Sequence, residues 1–261
     1  MIKKKTNPIF YLFLSVLSVA VFIGLWLLVT DGLHIFSSKT LPSPVKVVQT
    51  FFQKLTDPNP DGGTLIAHAI SSLKITLTGY LIAIIIGTPL GIAMAWYEKV
   101  DMYVRPIFDL VKPVPGVAWV PLMIIMLGIG FTSKVTVIVI SAIVPVLLNA
   151  YSGVKQTKDV HLWVMRTFGA SNWQMLTKVA IPTALPYIMT GVRVALGSAW
   201  TCIVAAELIA STEGLGFMIQ MCRGIYRPDV IIVGMVSIGL IGAVLTAILT
   251  LIEKAIVKGR D

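Results

Sequence analysis

Six long apolar stretches alternate with short polar ones along the chain, at 9–29, 65–96, 106–129, 135–148, 184–209 and 230–252. Most approach or exceed the ~20 residues that an α-helix needs to cross a hydrocarbon core. The pattern therefore predicts an all-α membrane protein with about six transmembrane helices. Between the first two stretches, apolar residues at 47, 48, 51, 52 and 55 repeat with helical period. That segment is too short to span and is expected to lie along the membrane surface. The second stretch has a polar front, His68 to Lys74, expected to emerge from the bilayer, and Tyr97–Arg105 reads as a short polar loop.

The third stretch is interrupted by Pro113, Pro115, Gly116 and Pro121. Each proline lacks an N–H and clashes with the preceding turn, so a break or kink is expected here. Broken backbone at membrane depth persists only against protein or a water-filled cavity. The segment is thus either an element of a translocation pathway or a plain kinked helix. Tyr151–Ile181 is the only extended polar segment of the second half. Apolar residues at 160, 162, 164, 165 and 168 predict one helix, Gly169-Ala170-Ser171 ends it, and Ser171 can cap a second helix over 173–180. Pro182 then opens the fifth span. Two short helices at an angle make either a knob suited to a groove on a soluble partner or a surface helix resting on lipid.

Composition strengthens the membrane reading. The 261 residues are 56% hydrophobic and only 13% charged, against roughly 25% charged in soluble domains, and mean hydropathy is +0.89. The chain is read as a single transmembrane domain over 1–261, with no room for a large soluble one. The net charge of +9 comes from scattered Lys and Arg, not a basic domain, so no nucleic-acid partner is expected. The bias instead orients the chain. With both termini cytoplasmic, Lys3, Lys4, Lys5, Lys99, Arg105, Lys155, Lys158, Arg166, Lys178, Lys254, Lys258 and Arg260 lie inside. Lys39, Lys46, Lys54, Lys134, Arg223 and Arg227 lie outside. The apolar run behind Lys3–Lys5 is too long for a signal peptide and no small-residue cleavage site follows it, so it reads as a retained span. Cys202 and Cys222 form no CxxC pair, and His34, His68 and His161 make no ligand cluster; no metal site is expected.

Arg193, Trp200 and Glu207 are seven residues apart on the fifth span and share one helical face. A charge at bilayer depth costs roughly 2.5–3.5 kcal/mol on insertion scales and faces protein or water. Either this face lines a pathway, with Arg193 offering donors to an anion, or Arg193 pairs with a carboxylate and Glu207 caps an outer gate. Gly191, Ala195, Gly197, Ser198 and Ala199 permit close helix approach.

Gly169, nine residues, then Val179-Ala-Ile-Pro182 resembles the coupling loop of bacterial ATP-binding-cassette importer permeases, whose pattern reads E-A-A, three residues, Gly, nine residues, Ile-x-Leu-Pro. The E-A-A positions here hold Trp163, Val164 and Met165. Further strings are similar to the subfamily importing sulfonates, taurine and nitrate. They are Leu41-Pro-Ser-Pro44, Ser72-Leu73, Gly87-Thr-Pro-Leu-Gly91, Arg105-Pro106, Pro121-Leu122, Gly128-Ile-Gly130 with Lys134, Ile181–Pro186, Gly191–Trp200, Ala206-Glu207 and Gly214-Leu-Gly216. Phe131 stands where many relatives carry an acid.

The resemblance implies about six transmembrane helices, a short amphipathic periplasmic-side helix and a cytoplasmic coupling helix pair. The permease core would cover 65–255 and the coupling loop 151–182. A homodimer in the inner membrane would import a small, anionic solute, with a vitamin precursor or other heterocyclic nutrient as the alternative. Its partners would be two cytoplasmic ATPase subunits, a periplasmic or lipid-anchored binding protein, and membrane lipid. Trp163, Arg166, Thr167, Phe168, Gly169, Ala170, Ser171, Ile181 and Pro182 would couple to the ATPase. Pro113, Pro115, Pro121, Arg193, Trp200 and Glu207 would line the pathway, and Gly214, Leu215 and Gly216 would form the outer gate or contact the binding protein. No GxxxxGK[ST] phosphate loop occurs, so ATP and Mg would sit on the partners and the chain itself would be no enzyme. Two other classes compete. A membrane enzyme lacks convergent carboxylates, since Asp109, Glu207 and Glu253 lie on three helices. A standalone secondary transporter would run without an ATPase.

Overall fold

The computed structural model describes residues 8–257, so Lys3–Lys5, Lys258 and Arg260, used for orientation, lie outside the described residues. The described residues fold into helices alone. They are α1 (Pro8–Leu27), extended by a π turn (Leu28–Gly32), α2 (Pro44–Lys54), α3 (Leu65–Trp96), α4 (Glu98–Val111), α5 (Val120–Leu127), α6 (Phe131–Lys155), α7 (Asp159–Thr167), α8 (Asn172–Met175), α9 (Ile181–Ile209), α10 (Leu215–Gly224) and α11 (Pro228–Val257). Five helices are long and apolar enough to cross a membrane, or six if the bent pair described below is one span.

Two compact units arise, Met1–Ile66 with Met218–Val236, and Ala67–Phe217 with Ser237–Asp261. In the first, α2 occupies the expected amphipathic stretch, with Ser43 capping it by accepting from the Lys46 N–H. The Trp26 indole donates to the Pro42 carbonyl at 3.1 Å. Lys54, the last residue of α2, is buried against the turn that follows. Its ammonium is surrounded by the carbonyls of Pro58 (3.2 Å), Asn59 (3.0 Å) and Gly63 (2.7 Å) and pairs with Asp61. Full satisfaction is what makes a buried lysine tolerable. Asp229 accepts from Thr50 at 3.0 Å and is clasped by Arg227 through two 2.9 Å bonds.

In the second unit α6 and α9 form the most extensive packing. Ile138, Ala142, Val146 and Ala150 repeat every four residues on α6 and are fully or almost fully buried, as are Ala184, Ala195, Ala199 and Ile203 on α9. Gly191 sits at the close approach, where a Cβ would lie 2.6 Å from that of Asn149, in keeping with the small-residue role expected of it.

Three sequence expectations change. Tyr97–Arg105 is not a loop, because α4 starts at Glu98. Glu98 and Asp101 sit in its first turn, where the helix dipole favours acids, and Arg105 pairs with Asp101 one turn on. The break in the third stretch falls at Lys112–Pro115, where α4 and the segment Gly116–Leu127 bend by 83°. Pro113 and Pro115 lie in it, but Pro121 does not interrupt anything. It opens α5, where its missing N–H costs little. Pro182 does not separate a second loop helix from the fifth span either. Asn172–Ile209 runs as one 38-residue helical stretch. A π turn at Leu176–Ala180 widens the coil just before the proline, and the Ile181 N–H reaches back to Leu176. A wide turn relieves the clash that proline makes in a regular α-helix. The segment between the last two spans holds α10, whose Leu215, Met218 and Cys222 are fully buried.

Candidate functional site: a protruding aromatic helix, a broken span and a buried carboxylate knot

Ser171 caps α8 through a complete capping box with Gln174, its hydroxyl accepting from the Gln174 N–H and Gln174 Oε1 accepting from the Ser171 N–H. Gly169, at φ +76°, supplies the left-handed residue that ends α7. The result is a capped break between α7 and the long stretch beginning at Asn172. No residue of α7 is buried. Trp163 is 62% exposed, Phe168 84% and Trp173 66%, with Val160 and Val164 also uncovered. Arg166 and Thr167 flank this apolar surface, and Ala170 lies in the turn, while Ile181 and Pro182 sit in the helical stretch behind it. Trp163, Phe168 and Trp173 thus leave a cluster of aromatics uncovered on and beside α7.

At the other end of α9 is a buried polar knot. Glu207 is 1% exposed. Its carboxylate accepts from the Ser72 hydroxyl (2.8 and 3.0 Å to its two oxygens) and from the Gly216 N–H (2.9 Å). Ser72 Oγ in turn accepts from the Leu215 N–H at 3.0 Å, and His68 Nδ1 accepts from the Gly214 N–H at 3.0 Å. Lys134, also buried, donates to Ser211 Oγ at 2.6 Å. Gly214 has φ +113°, and a Cβ there would collide with the Glu207 carboxylate. Only glycine fits. The polar front His68–Lys74, expected to leave the bilayer, thus has its His68 and Ser72 buried against the 211–216 turn. Lys74 stands 5.9 Å from the Phe131 ring, so the aromatic keeps an attractive contact where an acid would have offered an ion pair.

Arg193, Trp200 and Glu207 do share a face, and every member is engaged. Arg193 pairs with Glu253, and the Trp200 indole donates to the Ile238 carbonyl at 3.1 Å. Beside that face a groove of about 400 Å³ opens, lined by Gly116 and Val117 after the 83° break, Ser141 of α6, and Val194, Gly197, Ser198, Thr201 and Cys202 of α9. Thr183 and Thr190 of the same helix return their hydroxyls to carbonyls four residues back (2.7 and 3.0 Å). Among the described residues, Ser198 and Thr201 make no such bond and turn toward the groove. Sequence reasoning missed this groove because it follows Gly and Ser positions rather than charges. It missed the His68–Ser72 half of the knot because those residues lie more than 130 positions from their partners. Among the described residues no group of three or more His, Cys, Asp or Glu converges to hold a metal.

Residues 87–261 match the family described as binding-protein-dependent transport system inner membrane component. The chain is 39% identical over 235 residues to the taurine transport system permease protein TauC of Escherichia coli (strain K12), covering 89% of this chain and 84% of that protein. It is 30% identical over 268 residues to the nitrate import permease protein NrtB of Synechocystis sp., covering 99% and 96%. The fold is similar to that in inward-facing conformations of the MetNI methionine ABC transporter, with a TM-score of 0.61 at 17% identity, over 75% of this chain and 95% of that one. The chain belongs to the binding-protein-dependent transport system inner membrane components, and is a multi-pass permease subunit of an ATP-binding-cassette importer rather than an enzyme.

Proposed function

We propose that two copies of this chain form the membrane pathway of an importer for a small oxyanion-bearing solute of the taurine, sulfonate or nitrate kind. Two cytoplasmic ATPase subunits carrying ATP and Mg drive it, and an extracytoplasmic binding protein delivers the solute. The observation that carries this reading is the uncovered aromatic surface of α7 and the break after it, Trp163 and Phe168 above all. Aromatics left uncovered by their own chain are the residue type that anchors protein interfaces. The printed activities of the taurine and nitrate relatives support the solute class. Both termini and α7 are then cytoplasmic, and the Gly214-Leu215-Gly216 turn, held inward by His68, Ser72 and Glu207, closes the outer end. The pathway runs along the groove beside Gly197, with the Pro113–Pro115 break as its wall. Arg193 and Trp200 support it from behind.

Co-expression with ATP-binding subunits and a binding protein from the same genome tests the reading. The chain is expected to co-purify with the ATPase and, in proteoliposomes, to take up taurine or nitrate only with ATP and the binding protein present. Uptake by the purified chain alone would sink it.

Cysteine labelling tests the groove. Both native cysteines are buried, and burial pushes the Cys222 thiol up to about 11. At neutral pH well under about a thousandth of it is thiolate. With Cys202, which lines the groove, replaced by Ala, the chain is therefore expected to stay unlabelled by a water-soluble maleimide. Gly197→Cys, whose new Cβ meets nothing within 4 Å, is expected to label in the assembled importer. No labelling there removes the groove from the pathway.

A further inference from the structure

The first compact unit contains a larger cavity, about 1,020 Å³, that has no part in the proposed pathway. It lies between the chain leaving the first apolar helix, Thr30–Lys46, and the segment Ile225–Asp229 that leads into α11. The first candidate span ends at Gly32 and the last begins at Pro228. The cavity is therefore at the level where two membrane helices meet the interface, whichever side that is.

Its charges are uneven. Lys39, Lys46 and Arg227 face Asp31 and Asp229 across it. Asp229 is already spent on Arg227 and Thr50. That leaves exposed Lys39 and Lys46 against Asp31 alone. Lys46 also stands in the first turn of α2, which contains no acid. A cation at the positive end of a helix is unfavourable unless an anion sits beside it. The two residues other than glycine with positive φ among the described residues, His34 (48°) and Tyr226 (54°), both line this same cavity. Strained residues held by their surroundings gather at binding sites. Phe36 and Tyr226 are uncovered at its edge, where aromatic rings favour the headgroup region.

We infer that this cavity binds the phosphate of an anionic phospholipid head group, with Lys39 and Lys46 as the principal donors and Phe36 and Tyr226 at the glycerol boundary. A free phosphate offers the same chemistry. The lipid is favoured because the cavity sits at headgroup depth and is far larger than an inorganic ion requires.

Native mass spectrometry of the full chain, purified in detergent and given equal phosphatidylglycerol and phosphatidylcholine, reads this out. Wild type is expected to retain phosphatidylglycerol preferentially. Each lysine near the lipid contributes roughly fivefold, so K39Q/K46Q is expected to lose about thirtyfold of that preference. Both side chains are exposed, so folding is preserved, and Lys99→Gln, at a residue that does not line the cavity, is expected to change nothing. Equal retention of the two lipids by wild type, or an undiminished preference in the double variant, overturns the proposal. Excess inorganic phosphate is expected to leave the lipid bound, and displacement by phosphate alone overturns the lipid assignment.

Discussion

Phe168→Ala combined with Trp163→Ala is expected to abolish ATP-driven uptake while leaving the chain folded in the membrane. Neither side chain supports its own fold, since they are 84% and 62% exposed and α7 buries nothing. Both are of the type that dominates interfaces, where a buried aromatic anchor contributes about 2 kcal/mol or more. Loss of two anchors weakens docking to the ATPase by roughly three orders of magnitude if they act independently. The measurement is pull-down of the ATPase with the tagged chain, alongside ATP hydrolysis stimulated by the loaded binding protein. Phe168→Leu, which keeps most of the apolar area, is expected to retain much of both. Normal assembly and normal stimulation in the double alanine variant would reassign α7 to the lipid surface.

Glu207→Ala is the second large effect, and here the expected loss is of structure. Removing the carboxylate strands the Gly216 N–H and deprives the Ser72 hydroxyl of its acceptor at a site that is 1% exposed. Each buried polar group left without a partner costs about 1–3 kcal/mol. Lys134 also loses one of the two carboxylates that balance its charge, and breaking a buried charge constellation on one side is costlier than never having built it. The expected readout is a lower Tm of the detergent-solubilised chain and proteolytic cutting within 211–216. Glu207→Gln keeps the shape but points an amide toward donors, so an intermediate loss is expected. A wild-type Tm and an uncut turn in Glu207→Ala would show that the knot does not hold the turn.

The apolar rhythm of the chain made its spans legible, and Gly169 and Ser171 made the break before α8 legible, because both signals are local. A run of twenty apolar residues or a Ser with Gln three positions on works through neighbouring backbone. The seven-residue spacing of Arg193, Trp200 and Glu207 correctly placed them on one face. It said nothing of what lay opposite, which turned out to be Glu253, Ile238 and Ser72. Prolines misled in two ways. Pro121 looked like a breaker and opens a helix, and Pro182 looked like a boundary and is bridged by a π turn. In both cases the outcome depends on whether the preceding turn can do without one N–H. Single-residue propensity does not encode that.

The uninterrupted stretch from Asn172 to Ile209 has a mechanical consequence. At ~1.5 Å per residue, its 38 residues make a rod of about 57 Å. One tip is the Ser171 cap and the other carries the Glu207 carboxylate. A rod clamped along its middle by α6 behaves as a lever with its fulcrum near the Gly191 contact. Tilting one tip by a few ångströms must swing the other in the opposite sense by a comparable amount. The 211–216 turn, bonded to Glu207 through the Gly216 N–H, would be carried along without any signal passing from residue to residue.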